Sequence, residues 1–265
     1  MTAVPSPAPP LVLPGTRAGR DPERSIRRGP RRLPAEVVAA TQRDRLLDGI
    51  VRTVAQSGYA KARISDICQA AGVTRPVFYE QFRGKEDAFL AAHRHGTTLV
   101  IASMEAAFEA AGDWPSGIRD ALGALLGILA GAPAFATMAV VEIDAVGEAG
   151  REERDVLLAQ FRRFFTTAGG AAGAAGAPPG VAATELVDAV VGGVYASVYR
   201  RIAAGGAAEL PVLLPTLSYF VLAPFLGPEG AAARLAEPRP AVRASAAPCL
   251  HPGASRQHGA DAPSP

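Results

Sequence analysis

Apolar residues recur at steps of three and four along most of this 265-residue chain, and this spacing restricts the fold more than any other feature. In an α-helix such spacing places the apolar side chains on one face, whereas a half-buried strand needs strict alternation. The helical pattern is clear in Leu46, Leu47, Ile50, Val51 and Val54, and no convincing alternating stretch occurs in the sequence. We therefore predict an all-α protein.

The 28 glycines and 23 prolines are too many for helices, and many of them lie near the two ends of the chain. We predict that residues 1–33 and 229–265 are disordered tails, because they offer little apolar surface to bury. The first tail ends in a cluster of arginines that could follow a DNA backbone or only improve solubility. These are Arg24, Arg27, Arg28, Arg31 and Arg32.

Basic residues are concentrated towards the N-terminus. Residues 17–87 hold 15 Lys and Arg against 9 Asp and Glu, a net charge of +6, whereas residues 88–265 hold 12 Arg against 16 acidic residues, a net charge of −4. All of these cations except Lys61 and Lys85 are arginines, which suit bidentate contacts with phosphate and guanine. The asymmetry favours a polyanionic partner for the N-terminal third, although an ordinary solvated surface would give the same balance.

Two features of the sequence bear on the cellular location of the protein. Cys68 and Cys249 lie far apart, which favours a reducing compartment over a disulfide scaffold, and no secretory signal is visible, so we expect a cytoplasmic protein. The uncharged stretch 121–141 is long enough to cross a membrane. Because Gly131-Ala132-Pro133 interrupts it, we interpret it as two buried helices joined by a turn and expect no membrane partner.

The remaining periodic stretches predict further helices at 119–129, 135–146, 152–167, 183–204 and 210–226. Between them, residues 168–182 form a Gly- and Ala-rich loop. It contains no phosphate-binding glycine motif, and we interpret it as low-complexity sequence.

A helix-turn-helix pattern lies in residues 64–90, ISDICQAAGVTRPVFYEQFRGKEDAFL. A short helix over 66–71 ends at Gly72, a third helix opens with Thr74 as its cap and Pro76 in its first turn, and a fourth begins near Lys85. This stretch resembles the DNA-binding domain of TetR-family transcriptional regulators. The resemblance depends on Asp66-Ile67, Ala70-Ala71-Gly72-Val73, Thr74-Arg75-Pro76, Phe78-Tyr79, Phe82 and Lys85-Glu86.

The resemblance implies an N-terminal three-helix DNA-binding domain over residues 34–90. The region 91–228 is similar in length and layout to the family's helical regulatory and dimerisation domain. We expect the small domain to have a core formed by Ile67, Val73, Phe78 and Phe82.

The third helix would then leave another face free for the major groove. We expect Arg75, Pro76, Val77 and Gln81 near that face, where Arg can pair with guanine, Gln with adenine, and an apolar group with a thymine methyl.

The resemblance also implies that Thr74, Tyr79 and Lys85 contact phosphate. Each has a simpler interpretation, because Thr74 could only cap its helix, Tyr79 could only pack, and Lys85 could only be solvated. Arg63 stands where the family often has Thr or Ser, and its longer side chain could also reach phosphate. Because Val77 and Gln81 also depart from frequent family residues, an operator sequence cannot be transferred from relatives.

The helices at 183–204 and 210–226 form the predicted homodimer interface. The first has too broad an apolar surface for one-sided burial, and Gly192, Gly193 and Ala196 would allow another helix to approach closely. A core within one chain would explain the same pattern.

A small hydrophobic effector would bind between the central helices, lined by apolar residues that could equally be core. The candidates are Met104, Phe108, Trp114, Phe135, Met138, Phe161 and Tyr195.

No enzyme motif, cofactor or metal site is predicted. His93 and His95 are two residues apart on a helix and cannot share a face, and Cys249, His251 and His258 lie in the predicted tail. We therefore expect a dimeric regulator, most simply a repressor released from a near-palindromic operator by the effector. The alternative is a small-molecule-binding or catalytic helical protein whose helix-turn-helix is only structural.

Overall fold

The structure, a computed structural model, describes residues 12–17, 34–166 and 180–237. Within these ranges the regular elements are helical and no strand occurs, as predicted. Residues Val12–Glu237 form one compact unit.

Four helices build the N-terminal part and its connection to the remainder. They are α1 (Ala35–Ser57), α2 (Ile64–Ala71), α3 (Arg75–Gln81) and α4 (Lys85–Glu109). The five apolar residues that define the α1 pattern are all at most 5% exposed, and α1 packs against α2 and α4. Because α4 continues through residue 90, the boundary predicted there falls inside a helix, and one rigid element joins the two parts.

The remaining elements surround a second apolar region. They are α5 (Trp114–Gly131), α6 (Pro133–Ala136), a π-helical turn (Thr137–Val141), a 3₁₀ turn (Ile143–Val146), α7 (Glu148–Phe161), α8 (Arg163–Thr166), α9 (Ala183–Ala203), a second 3₁₀ turn (Ala207–Leu213) and α10 (Leu214–Ala236). The strongest packing joins α4 to α5, and α5 also packs on α10.

The uncharged stretch 121–141 is broken as predicted, because α5 and the segment from Pro133 to Val141 meet at an angle of 104°. Another helical stretch, Ala207–Ala236, is long and apolar enough to span a membrane by length and composition alone. Its most apolar 18-residue segment has a mean hydropathy of 1.7, and 33% of that segment is buried.

Three boundary predictions were wrong. The single helix expected at 135–146 is a short α-helix followed by π and 3₁₀ turns. The helix expected at 152–167 begins earlier, at Glu148, and is divided after Phe161. Residues 229–236, expected to be disordered, continue α10 beyond a kink at Gly227, whose φ of 74° is left-handed.

The N-terminal region also departs from the prediction of complete disorder. Residues Val12–Arg17, which we call the N-terminal strap, form a turn against α1 in which Leu13 is only 3% exposed. The arginine cluster at 24–32, the loop 168–179 and the tail beyond residue 237 lie outside the described residues.

Candidate nucleic-acid interface and apolar cavity

The turn between α2 and α3 is closed by backbone hydrogen bonds that require a left-handed residue. Gly72 has φ 66° and ψ 35°, and its N–H donates to the Gln69 carbonyl while the Val73 N–H donates to the Cys68 carbonyl at 3.0 Å. This is the Schellman arrangement, which satisfies the last carbonyls of α2 and favours glycine at this position. The turn directs α3 away from α2 as a separate short helix.

Two aromatic side chains hold α3 in place. Phe78 is 0% exposed and Phe82 is 3% exposed, and their ring centroids lie 5.7 Å apart. Ile67 is fully buried and Val73 is partly buried against the same core, which confirms the predicted set. Because the buried Phe78 faces this core, the opposite side of α3 is left towards solvent.

The predicted base-contacting residues divide into two groups on α3. Arg75 and Pro76 are exposed in its first turn, whereas Val77 and Gln81 are half-buried. Arg75 has no ion-pair partner among the described residues, so its guanidinium is available to a ligand. The burial of Val77 and Gln81 leaves them only partly accessible in this conformation.

The predicted phosphate-contacting hydroxyls are both accessible. Thr74 is the N-cap residue of α3 but its side chain makes no capping hydrogen bond, so the expected cap is not formed and its hydroxyl is free of that role. Tyr79 is 58% exposed, with its ring edge-to-face against Phe78 at 5.5 Å. Arg63 is exposed at the N-cap of α2.

Lys85 is held by the loop after α1. Its Nζ donates to the Tyr59 carbonyl at 2.7 Å and lies 4.2 Å from the centroid of the Tyr59 ring. An ammonium has three donors, so this contact leaves two for a phosphate. Lys85 therefore sits at the N-terminus of α4 in a fixed position, where the helix dipole also favours an anion.

Sequence reasoning missed three charged residues beside this surface. Glu80 and Arg83 are exposed on or just after α3, and Arg43 of α1 lies 4.7 Å from the centroid of Phe82 and donates to the Gln81 carbonyl. Arg83 lies just beyond α3, after the extended Phe82, so helical spacing from Arg75 does not place it. The position of Arg43 depends on how α1 packs, which the sequence does not state.

An apolar cavity of about 100 Å³ lies among α4, α5, α7, α9 and the π-helical turn. Its lining is formed almost entirely by Val, Leu, Ile, Ala, Met and Phe side chains. Four of the seven predicted effector residues, Met104, Phe135, Phe161 and Tyr195, line it.

The other three predicted effector residues are not among the cavity-lining residues and pack in the core. Phe108 stacks edge-to-face on Phe164, and Trp114 donates its indole N–H to the Phe164 carbonyl at 2.9 Å. Met138 is 0% exposed. Most of the lining that sequence reasoning missed is aliphatic, including Leu125, and such residues are indistinguishable from core by sequence.

The few hydroxyls of the cavity lining are already used. Tyr195 donates to the Val140 carbonyl at 3.0 Å, and Thr97 donates to the His93 carbonyl at 2.8 Å. Burial, together with the Asp144 carboxylate, raises the pKa of Tyr195 to about 12, so this phenol stays protonated at neutral pH. The cavity thus offers shape and apolar surface to a ligand rather than charge.

His93 lies buried on α4 near this region. It is 1% exposed, and neither ring nitrogen has a hydrogen-bond partner among the described residues. Burial lowers its pKa to about 4, although the nearby Glu153 carboxylate and Ala139 carbonyl act in the opposite direction. His93 is therefore neutral at physiological pH.

The helix α4 extends from the helix-turn-helix region to the cavity. It begins at Lys85 beside α3, and at Gly96 it meets Phe135 so closely that a Cβ there would lie 2.1 Å from the ring Cε2. Since Phe135 lines the cavity, a ligand that moves this ring would act on α4.

An exposed apolar face lies on α9, α10 and the preceding turn. Val212 is 71% exposed and Phe220 is 43% exposed, with Gly192 and Ala196 open on α9. Gly193 instead lies against Phe220 of the same chain, because a Cβ there would be 2.6 Å from Phe220 Cζ.

No group of three or more His, Cys, Asp or Glu residues suited to a metal ion occurs in the part of the chain that the structure describes. Cys68 is buried, and burial raises the pKa of its thiol, although nearby Arg75 has the opposite effect. The thiol therefore belongs to the core of the small domain.

Comparison with known proteins finds a family profile that matches the helix-turn-helix region. A profile for bacterial regulatory proteins of the tetR family matches residues 46–92. No curated protein matches the chain significantly in sequence.

Solved structures share the fold. The fatty acid degradation regulator FadR from Bacillus halodurans superposes with a TM-score of 0.62 at 17% identity, over 68% of this chain and 94% of that one. FadR from Bacillus subtilis, solved in complex with stearoyl-CoA, gives 0.61 at 16% identity over 68% and 97%. The tetR regulator TylP from Streptomyces fradiae gives 0.52 at 20% identity over 69% and 86%. Residues 46–92 of this chain are thus similar to the tetR family of bacterial regulatory proteins, and the chain shares the all-α fold of these solved structures.

Proposed function

We propose that this protein is a cytoplasmic, dimeric repressor that binds a near-palindromic DNA operator through α3 and releases it when a hydrophobic effector fills the apolar cavity. The observation that carries the proposal is the pairing of two features on one continuous helix. One end of α4 begins at Lys85, separated from the end of α3 by three residues, and its middle contacts a wall of the cavity.

The DNA-binding part is supported by the division of α3 into a buried and an exposed side. Phe78 and Phe82 fix the helix, so that Arg75 and Tyr79 project from a rigid support. Arg75 is assigned to a base edge, where a bidentate contact with guanine gives sequence discrimination. Tyr79, Thr74, Arg63 and Lys85 are assigned to phosphate, which fixes orientation without reading sequence.

The effector is a molecule with an apolar portion. Because the hydroxyls of Tyr195 and Thr97 already donate to backbone carbonyls, a hydrogen-bond acceptor of a ligand buried there would be left without a hydroxyl donor. A hydrocarbon chain meets no such penalty. The bound stearoyl-CoA of the similarly folded Bacillus subtilis FadR makes a fatty acyl thioester the first compound to test.

The dimer is assigned to the exposed apolar face of α9 and α10. Two recognition helices must lie about 34 Å apart, or a multiple of that distance, to enter successive major grooves on one side of DNA. An effector that favours another separation lowers operator affinity, and typical coupling energies correspond to roughly 5- to 150-fold.

Selection of binding sequences from a random DNA pool tests the proposal directly. We expect the full-length protein to enrich an inverted repeat, and stearoyl-CoA at micromolar concentration to release a labelled copy of that repeat. Failure to enrich any sequence would contradict the proposal and would favour a small-molecule-binding protein whose helix-turn-helix is only structural.

A further inference from the structure

The N-terminal strap makes several specific contacts with α1. The Gly15 N–H donates to Asp48 Oδ1 at 2.8 Å, and Asp48 is only 3% exposed. Arg17 pairs with Asp44 at 3.7 Å, and Leu13 is buried in the same core as α1. Because an apolar anchor, a partly buried hydrogen bond and an ion pair coincide, the strap is docked at one defined place.

That place lies between the two halves of the molecule. Gly15 has φ 88°, and a Cβ at this position would lie 2.3 Å from Val51 Cγ1 of α1 and 3.9 Å from the Ala134 Cβ of α6. The helix α6 adjoins the cavity, since its Phe135 is part of the lining. The strap therefore lies against α1 of the DNA-binding half and close to Ala134, the residue before the cavity-lining Phe135.

Arg52 links the strap to the helix-turn-helix. Its Nη1 donates to the Arg17 carbonyl, and its Nη2 donates to the Ala70 carbonyl at 2.7 Å. The Ala70 carbonyl belongs to the last turn of α2, where helical acceptors have no partner within the helix. One planar guanidinium thus holds both the end of the strap and the residue two positions before Gly72.

We propose that the N-terminal strap, acting through Arg52, is a positioning element that fixes the α2–α3 turn against α6 and thereby sets operator affinity and its response to the effector. This inference rests on the proposed DNA-binding function. The strap contacts no base; it acts by reducing the number of orientations that the helix-turn-helix can adopt before it binds. A preorganised surface loses less conformational freedom on binding and so binds more tightly.

The test compares two glycines with similar positive φ values. Gly15→Ala places a methyl against Val51 and displaces the strap, whereas Gly180, with φ 84°, has no atom within 4 Å of its Cβ position. Gly180→Ala therefore places alanine at a similar positive φ without the displacement. Operator affinity is measured by fluorescence anisotropy on the selected inverted repeat, with and without stearoyl-CoA, for the full-length proteins.

We expect Gly15→Ala to weaken operator binding at least about fivefold and to reduce the ratio of affinities without and with effector. Gly180→Ala should remain within about twofold of the wild type, the scatter expected of a distant surface change. Arg52→Lys keeps the charge but loses the planar fork, and it should act in the same direction. The double variant Gly15→Ala/Arg52→Lys should be no worse than the stronger single variant, because both changes break one connection.

Hydrogen exchange separates positioning from general stability and needs no DNA. In Gly15→Ala, the amides of Gly72 and Val73 should exchange faster while those in the middle of α5 keep their protection. Unchanged exchange at these two amides, or unchanged operator affinity, would overturn the strap proposal. If the wild-type protein enriches no DNA sequence, the proposed function fails, and the exchange result still decides whether the strap fixes the turn.

Discussion

At the scale of single residues, Arg75 is the side chain that most directly tests base recognition. It is exposed in the first turn of α3 and carries no ion pair among the described residues. Arg75→Ala should lower affinity for the selected operator by about 1–3 kcal/mol and affect nonspecific DNA much less. Competition binding against unrelated duplex measures both, with Arg151→Ala on α7 removing the same charge from an exposed site elsewhere. Equal losses on both DNAs would remove Arg75 from its assigned role.

Lys85 differs from Arg75 because its ammonium is already bonded to the Tyr59 carbonyl. Lys85→Met keeps an unbranched apolar chain near the Tyr59 ring and removes only the charge and the donors. If Lys85 neutralises one phosphate, the slope of log affinity against log salt should become shallower by about 0.9, whatever the DNA sequence. A slope equal to that of the wild type would show that Lys85 serves only the loop after α1.

The buried His93 makes stability depend on pH. Its pKa falls from 6.5 to about 4 on folding, so the unfolded chain binds the proton more readily and the folded state loses stability as the pH falls from 7 towards 4. Between pH 7 and pH 5 this loss amounts to about 2 kcal/mol. His93→Leu should remove that part of the pH dependence in urea unfolding, whereas His95→Leu, an exposed neighbour on the same helix, should not. Identical pH profiles for wild type and His93→Leu would contradict the assignment.

At the scale of elements, the surroundings of two helical glycines predict opposite effects on stability when each is replaced by alanine. Gly96→Ala forces its methyl to within 2.1 Å of the Phe135 ring, and overpacking of this kind costs about 1–3 kcal/mol. Gly127 lies exposed in the interior of α5 with no atom within 4 Å of its Cβ position. Gly127→Ala should therefore stabilise the protein by about 0.5–1 kcal/mol. Thermal and urea unfolding of both variants measure the two signs, and a stabilising Gly96→Ala would refute the close contact.

The sequence predicted correctly those elements that are determined by residues close together in the chain. The α2–α3 turn follows from Gly72 and the core from Phe78 and Phe82, all within a few residues of one another. The prediction of one α-helix at 135–146 was wrong because the spacing of its apolar residues is compatible with π and 3₁₀ turns as well as with an α-helix. Periodicity shows which residues are buried and not which hydrogen-bond register they adopt.

The strap and the cavity escaped prediction because both depend on long-range packing. Leu13 stands among prolines and glycine, and only its contact with α1 makes it part of the core. Aromatic residues were the natural candidates for an effector site, yet Trp114 packs on Phe165 and Phe225 while aliphatic residues line most of the cavity. Whether an apolar side chain borders a cavity or fills one depends on its neighbours in space.

At the scale of the whole molecule, the exposed apolar face of α9 and α10 needs a covering partner. The most apolar 18-residue segment of Ala207–Ala236 has a mean hydropathy of 1.7, but only 33% of that segment is buried within the chain. Exposed apolar surface of this kind marks interaction sites in soluble proteins. In the proposed dimer a second copy covers it with the same face, which gives the two-fold symmetry that an inverted repeat requires.

The oligomeric state tests this arrangement through one small residue. Ala196 is exposed on α9 beside the open Gly192, so a carboxylate there would be buried without a partner between two copies. Ala196→Glu should convert the dimer to a monomer at micromolar concentration in light scattering after size exclusion, and should weaken operator binding because two half-sites can no longer be held together. Ala159→Glu makes the same change at an exposed alanine of α7 and should leave the dimer intact. A wild-type monomer, or an Ala196→Glu variant that remains dimeric, would place the interface elsewhere and remove the mechanical link between effector and operator.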